Sequence, residues 1–449
     1  MHPHETASRK HPADFFEMTI PAYVLFFLMV TVPTSYKPVK VLLSVIVLGI
    51  VIGEIFAKHR IVLHRPILLW TLFISTAGLG FIFWGLSNGA VGDIRVAQVY
   101  AIYPLVYVVF VIGAAKARVI DGLYRVLILA TFGIILHSFS YIFYTVGWLP
   151  KALYIDLNLG EDPVLGIYGG TVEYYLLSVP SLLFLVPFIF AALMSWPKQN
   201  KMPVLRSWLW LAFILTTILV FLSGRRGLWL VYIITPLVTF IVQMFVCGNL
   251  KSDIRKLVPR SVIMCVLGVV VVMIYLQSSF GLNLDSMTEF FSSGFDDKFD
   301  ESASIRSEQL TALLQDWSEH PLFGVGHGVT NSQVVRSDEV RWAYELSYVA
   351  LLFHTGIIGL FLYSAGILWI LWMGVKILRT GGRMSMYMLP IIVGLICFLI
   401  ANATNPYLEK YDFMWVVFLP VALINYWLTN GTARNEHDRA SSMLSTGGM

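Results

Sequence analysis

Apolar and polar residues along the chain fall into long blocks and not into short alternation. Twelve apolar stretches stand out, at about 18–33, 41–57, 67–86, 97–115, 124–146, 174–195, 205–222, 227–247, 259–277, 346–375, 386–402 and 412–429. A helix needs about 20 apolar residues to cross roughly 30 Å of hydrocarbon, whereas membrane β-strands would alternate over about ten residues. The pattern predicts an all-α polytopic membrane protein with about twelve transmembrane helices. Two connections exceed a hairpin: residues 147–173, and residues 278–343 ahead of the tenth helix. Connections of that length are functional or disordered.

The expected organisation follows. Residues 1–17 form a cytoplasmic N-terminal segment, 18–277 carry helices one to nine, and 278–343 form a large extracytoplasmic loop. Residues 344–429 carry helices ten to twelve, and 430–449 are a Ser- and Gly-rich cytoplasmic tail expected to be disordered. Met1–Glu17 has no A-x-A-like cleavage site, so the first span is expected to be retained. Within the large loop a helix is predicted over Arg306–Glu319, with Ile305, Leu310, Leu313, Leu314 and Trp317 on one apolar face. A break at His320-Pro321 and a glycine-rich turn, Gly324-Val-Gly-His-Gly328, follow it. The loop therefore reads as a small folded cap on the outer leaflet. The apolar run Leu346–Val375 is longer than one crossing needs, which predicts a start above the membrane, a tilt, or a bend near Gly356 and Gly359.

Composition agrees: 57% of residues are hydrophobic and 13% charged, about half the charge of a soluble domain. The net charge of +4 is too small to suggest a nucleic-acid partner. Its distribution says more. With the N-terminus in the cytoplasm, 20 of the 31 lysines and arginines fall on the inner side, as the positive-inside rule requires. Both termini are then cytoplasmic. The three cysteines, Cys247, Cys265 and Cys397, lie in or at the ends of spans, so no disulfide framework or CxxC metal site is indicated.

Four outer features carry candidate chemistry. The turn Ser223-Gly-Arg-Arg-Gly227 places Arg225 and Arg226 against the charge bias. Guanidinium forks pair bidentately with phosphate, so the pair reads either as an anion clamp or as two side chains reaching lipid headgroups. Arg306 opens the loop helix as a further phosphate ligand or a solvated charge. In the stretch from His320 to Gly328, His320 and His327 are possible substrate ligands, and the turn's N–H groups a possible anion nest. Glu345, in Trp342-Ala-Tyr-Glu-Leu-Ser-Tyr348, is a candidate general base or a partner of Arg341. His354, nine residues further on, is expected to pack between helices. Trp342 and Tyr344 read as interfacial aromatics, or as a platform for sugars. The acidic clusters Asp296-Asp297 and Asp300-Glu301 read as a solvated face and not as a metal site.

Taken in order, these residues resemble the O-antigen polymerase and O-antigen ligase family of bacterial envelopes. The resemblance rests on Ser223-Gly-Arg-Arg-Gly-Leu-Trp229, Arg306, His320-Pro-Leu-Phe-Gly-Val-Gly326, Glu345, Leu351-Leu-Phe-His-Thr-Gly-Ile-Ile-Gly359 and Ala403-Thr-Asn-Pro406. It implies a C-type glycosyltransferase architecture acting on undecaprenyl-diphosphate-linked oligosaccharide at the outer face of the inner membrane, with neither nucleotide sugar nor metal. It also implies membrane lipids, a chain-length regulator and a flippase of the same pathway as partners. Family ligases usually place His-Asn eleven residues before the glycine that aligns with Gly356; here that place holds Glu345-Leu346. A carboxylate there suits a polymerase. On this reading Glu345 is the catalytic base, and Arg225, Arg226 and Arg306 bind the diphosphate. The ligase remains the near alternative. A flippase would show inverted repeats, broken helices and mid-membrane charges, which the sequence does not display.

Overall fold

The computed structural model describes residues 19–59, 61–154, 164–168, 171–175, 178–196, 203–223, 225–246, 301–335 and 340–446. The helices are α1 (Thr19–Thr31), α2 (Lys37–Lys58), α3 (Arg65–Ser87), α4 (Ile94–Gly113), α5 (Ala117–Thr145), α6 (Leu182–Ser195) and α7 (Arg206–Leu222). They continue as α8 (Arg226–Val246), α9 (Glu301–Glu319), α10 (Ser347–Thr380), α11 (Gly382–Asn402) and α12 (Trp415–Thr446). Among the described residues, seven helices are long and apolar enough to cross a membrane, and four shorter apolar ones accompany them. Eleven of the twelve expected spans thus coincide with helices. The twelfth, 259–277, lies outside the described residues, as do the N-terminal segment and the loop up to residue 300. This is a multi-pass membrane protein.

Two expectations need correction. The chain is not all-α: an antiparallel hairpin, β1 (Val164–Tyr168) with β2 (Thr171–Tyr175), in which Ile167 lies opposite Val172, closes the 147–173 connection and takes the first two residues of the span expected at 174–195. The C-terminal tail, expected to be disordered, continues α12 as helix to Thr446. Residues 432–446 hold no proline or glycine, so nothing in them stops a helix before Gly447-Gly448.

The bundle is built around α6, whose residues from Leu182 to Met194 are all buried. A helix apolar all round belongs in the interior. It packs against α7, α8 and most extensively α11, where Gly394 lets the Phe184 ring lie against the α11 backbone. At the end of the bundle that carries α9, a buried ion pair joins distant parts of the chain. Lys40 Nζ lies 2.6 Å from Asp412 Oδ1 and donates to Val32 O, and the Thr34 N–H donates to Asp412 Oδ2. The two side chains are 3% and 10% exposed. The α1–α2 turn is thereby fastened to the α11–α12 connection.

The long tenth span bends where the sequence suggested. Gly356 leaves helical geometry at φ 62° and ψ −168°. An unbroken helix would bond Ile357 N–H to Phe353 O and Ile358 N–H to His354 O. Here residues 321–326 enter the gap as a strap. Ile357 N–H donates to Pro321 O and Ile358 N–H to Leu322 O, while Val325 N–H donates to Phe353 O and Gly326 N–H to His354 O. A Cβ at Gly356 would stand 2.3 Å from the Leu322 backbone, and its positive φ disfavours any other residue. The far side of the strap rests on α3. His327 N–H donates to Phe81 O, Trp84 Nε1 to Gly324 O and Asn88 Nδ2 to Val325 O. A Cβ on Gly326 would lie 2.2 Å from Gly85 N.

Two stability measurements on detergent-purified protein check these contacts. Gly356→Ala should destabilise the protein by at least about 1–3 kcal/mol from backbone strain alone. Gly80→Ala, in open space on α3, should leave the melting temperature unchanged or raised. Asp412→Asn should lose about 3–5 kcal/mol by stranding a buried ammonium, and the double variant Lys40→Met/Asp412→Leu should recover most of that loss.

Candidate active site

α9 and the segment before α10 build the site together. Arg306 lies in the second turn of α9, with Gln309 one turn later and Leu313 one turn beyond it. Arg306 Nε donates to Glu345 Oε2 at 2.9 Å, and Gln309 Oε1 accepts the Glu345 N–H at 3.0 Å. α9 thus grips Glu345 by carboxylate and by backbone. Gln309 is 1% exposed, while Arg306 and Glu345 keep 32% and 21% of their side chains open. The pair is held in place yet reachable.

Buried aromatic anchors fix the chain on the N-terminal side of Glu345. Trp342 Nε1 donates to Asp93 Oδ2, the same carboxylate that caps the start of α4 through Arg95 N–H. The Tyr344 hydroxyl accepts the Asn331 N–H, and Asn331 Nδ2 donates to Asp316 Oδ2 on α9. Burial, with the Asp316 charge adding to it, pushes the Tyr344 hydroxyl up to about 12, so it stays neutral. Neither residue forms an open platform for sugars or part of an interfacial belt. Both are buried and orient Glu345.

The face of α9 also differs from expectation. Leu313 is fully buried with Ala312 and Gln309, but Ile305, Leu310 and Leu314 are exposed. The contact face is set by what Glu345 and Tyr344 require, which includes the polar Gln309.

Arg225 and Arg226 sit on the turn into α8. Arg225 O accepts the N–H groups of Leu228 and Trp229, and the buried Trp229 indole donates back to Val220 O across the turn. Arg225 is half-buried and Arg226 exposed. α8 and α11 meet through Thr235 Oγ1 and Cys397 Sγ, and α10 and α11 through the Tyr348 hydroxyl on Leu399 O. Alternate crossings from α2 to α8 put the Arg225-Arg226 turn at the end that holds Lys40, and Lys40 pairs with Asp412 beyond the end of α11 where Tyr348 docks, so that turn and Glu345 share one end of the bundle.

The two histidines are not part of this arrangement. His320 is exposed at the far end of α9, fourteen residues beyond Arg306 and about 21 Å along the helix. His327 does not reach outward. It is 1% exposed, its ring stacks on Tyr100 at 3.6 Å, and its Nε2 lies 3.3 Å from the Tyr363 hydroxyl. The anion-nest reading of its turn is also overturned, because the N–H groups of Gly324, Val325, Gly326 and His327 all donate to backbone carbonyls. His354 is buried with it, at a ring distance of 5.7 Å. Sequence reasoning missed this cluster because Tyr100 and Tyr363 lie in apolar spans far from the motif. The π-helical turn Gln98–Ile102, which positions Tyr100, also leaves no mark in the sequence.

Among the described residues, no group of three or more His, Cys, Asp or Glu side chains could hold a metal ion. Residues 296–300 of the acidic clusters lie outside them, and nothing is described of the Glu301 side chain.

This geometry is what comparison with known proteins meets. Residues 211–364 match the O-antigen ligase family. The matched stretch, about a third of the chain, holds the Arg225-Arg226 turn, α9, the strap, Glu345 and the break in α10. No curated protein matches the chain. The O-antigen ligase family comprises glycosyltransferase-like enzymes, ligases and polymerases among them, and the match lends a flippase no support. The break in α10 does not revive that reading, since its gap is filled by the chain's own strap.

Burial, with His354 nearby, holds the His327 imidazole well below the ordinary histidine range. Below about pH 6.5 an unfolded histidine takes up a proton that the folded one refuses, so folding loses about 1.4 kcal/mol per pH unit from this group. The melting temperature should therefore fall as pH drops from 7 to 5. His327→Phe should flatten that fall.

Proposed function

We propose that the protein is a polymerase that joins undecaprenyl-diphosphate-linked oligosaccharide repeats, for O-antigen, capsule or exopolysaccharide, at the outer leaflet of the bacterial inner membrane. The observation that carries this reading is the Arg306–Glu345 pair, half-open and gripped by Gln309, at the bundle end that also bears Arg225 and Arg226. The fold is read as a C-type glycosyltransferase with α9 as its extracytoplasmic cap and both termini cytoplasmic. A chain-length regulator and a flippase of the pathway are its partners.

In this mechanism the growing glycan on its lipid diphosphate is the donor. A hydroxyl of the incoming lipid-linked repeat attacks the anomeric carbon. The bond from that carbon to the diphosphate oxygen breaks, and the lipid diphosphate leaves with the electron pair. Arg225, Arg226 and Arg306 stabilise the negative charge gathering on the leaving group. Glu345 Oε2 accepts the hydroxyl proton. The resting pair suits both roles. A diphosphate that competes for Arg306 releases the Glu345 carboxylate as the donor docks, so the base is freed when there is a donor to attack.

The second reading is a ligase that passes finished glycan to lipid A core or another acceptor, and it is favoured by the description of the matched family. Against it stands the carboxylate at the place where the ligase resemblance expects histidine. Reconstitution with purified lipid-linked repeats separates the two. A polymerase yields a ladder of lengthening lipid-linked glycan. Glu345→Gln should slow growth by about 10²–10⁴-fold, and Arg306→Ala by about 10²–10³-fold. Transfer to lipid A core without any ladder would establish the ligase, and full growth by the Glu345→Gln variant would remove Glu345 as base.

A further inference from the structure

One apolar space between helices lies away from Glu345. A crevice with ≈ 610 Å³ of unfilled space, its open side included, runs between α1, α2, α4, α5 and α12. Its wall is hydrocarbon nearly throughout, as Leu25, Phe26, Val47 and Phe418 illustrate. Along α1 it extends from Met29 to Ala22, about 10 Å at helical rise. Toward the end that carries α9 it stops at Tyr107, whose hydroxyl donates to Tyr411 O, below the buried Lys40–Asp412 pair. Toward the opposite end its wall includes Ala114 and Val119.

Those two residues bracket the α4–α5 connection, which carries Lys116, and the first turn of α5, which carries Arg118. Lys116 Nζ lies 2.8 Å from Glu54 Oε1, and Lys58 donates to the same oxygen. One carboxylate is thus shared by two lysines, and the exposed Arg118 follows Lys116 by two residues. At the foot of the apolar crevice, cations outnumber the carboxylate that links them.

We infer that this crevice holds an acyl chain of a bilayer phospholipid, with its anionic headgroup seated on Lys58, Lys116 and Arg118. The chemistry matches at both ends of such a molecule: hydrocarbon against hydrocarbon within the bundle, phosphate against basic side chains at its rim. The glycan-carrying lipid does not fit the same place. Its diphosphate belongs with Arg225, Arg226 and Arg306 at the other end of the bundle, and the crevice shares none of the helices that carry them. The bound lipid completes packing among the N-terminal helices and α12, where the protein leaves a gap.

The test reads lipid retention and not glycan transfer, so it stands apart from the fate of the proposed polymerase. The full-length protein is purified in mild detergent and its retained lipids are counted by native mass spectrometry, with phosphatidylglycerol as the added probe. One phospholipid per chain is expected to survive delipidation. Arg118→Gln and Lys58→Gln, both at exposed positions, should each weaken retention about fivefold, the effect of about 1 kcal/mol per basic residue near a lipid surface. Ala422→Phe, which narrows the crevice, should abolish retention, while Leu69→Phe on the exposed face of α3 should not change it. Retention of a polyisoprenoid in place of phospholipid would overturn the inference. So would absence of any retained lipid, or retention indifferent to both charge variants.

Discussion

A helix that breaks among apolar neighbours strands two N–H and two C=O groups, and each unpaired buried group costs about 1–3 kcal/mol. α10 breaks at Gly356, and the segment 321–326 supplies a partner to all four. Much else in the C-terminal half follows from this exchange. The strap can be no further from α10 than a hydrogen bond, so α9, which leads directly into it, is held over the same end of the bundle. The Trp84 side chain on α3 and that of Asn88 just past its end bind the outer edge of the strap. Arg306 then arrives opposite Glu345 because the strap holds the C-terminal end of α9 while Gln309 and Asp316 tie its length to the segment before α10. The glycine at each close approach is the condition that lets backbone meet backbone.

Two ion pairs show how burial divides the work of charge in this protein. Lys40 and Asp412 are shut away, and each also bonds to backbone, Lys40 to Val32 O and Asp412 to the Thr34 N–H. Such a pair fixes geometry and is costly to break. Arg306 and Glu345 stand partly open, with the carboxylate steadied from behind by Gln309. Water and anions can compete there. The first joins the N-terminal helices to the α11–α12 connection; the second can change partners without disturbing the frame around it.

The spans were legible because hydrocarbon thickness writes itself into sequence as runs of a set length. Eleven expected stretches became helices for that reason, and the bend in the overlong tenth run was legible from Gly356. Glu345 and Arg306 were legible as residue types in an ordered pattern, but their pairing was not, since nothing in a sequence measures distance across 39 positions. His327 misled because glycine neighbours usually mean exposure. Here the glycines serve close packing, and the imidazole is enclosed by Tyr100, Phe81 and Tyr363. Lys40 and Asp412 carried no signal at all. A lysine at the mouth of a span reads as an interfacial charge until its partner, 372 residues away, is seen.

The strap precedes α10 in the chain, and its other contacts are with α3, nearer the N-terminus. A growing polypeptide therefore has α3 in place before the strap emerges, and the strap before the helix whose gap it fills. The first half of α10 and the second cannot settle into their broken geometry until that earlier segment is waiting beside them. In this protein the order of synthesis and the order of assembly run the same way, and the loop that reads as an outer appendage is a scaffold for a helix made after it.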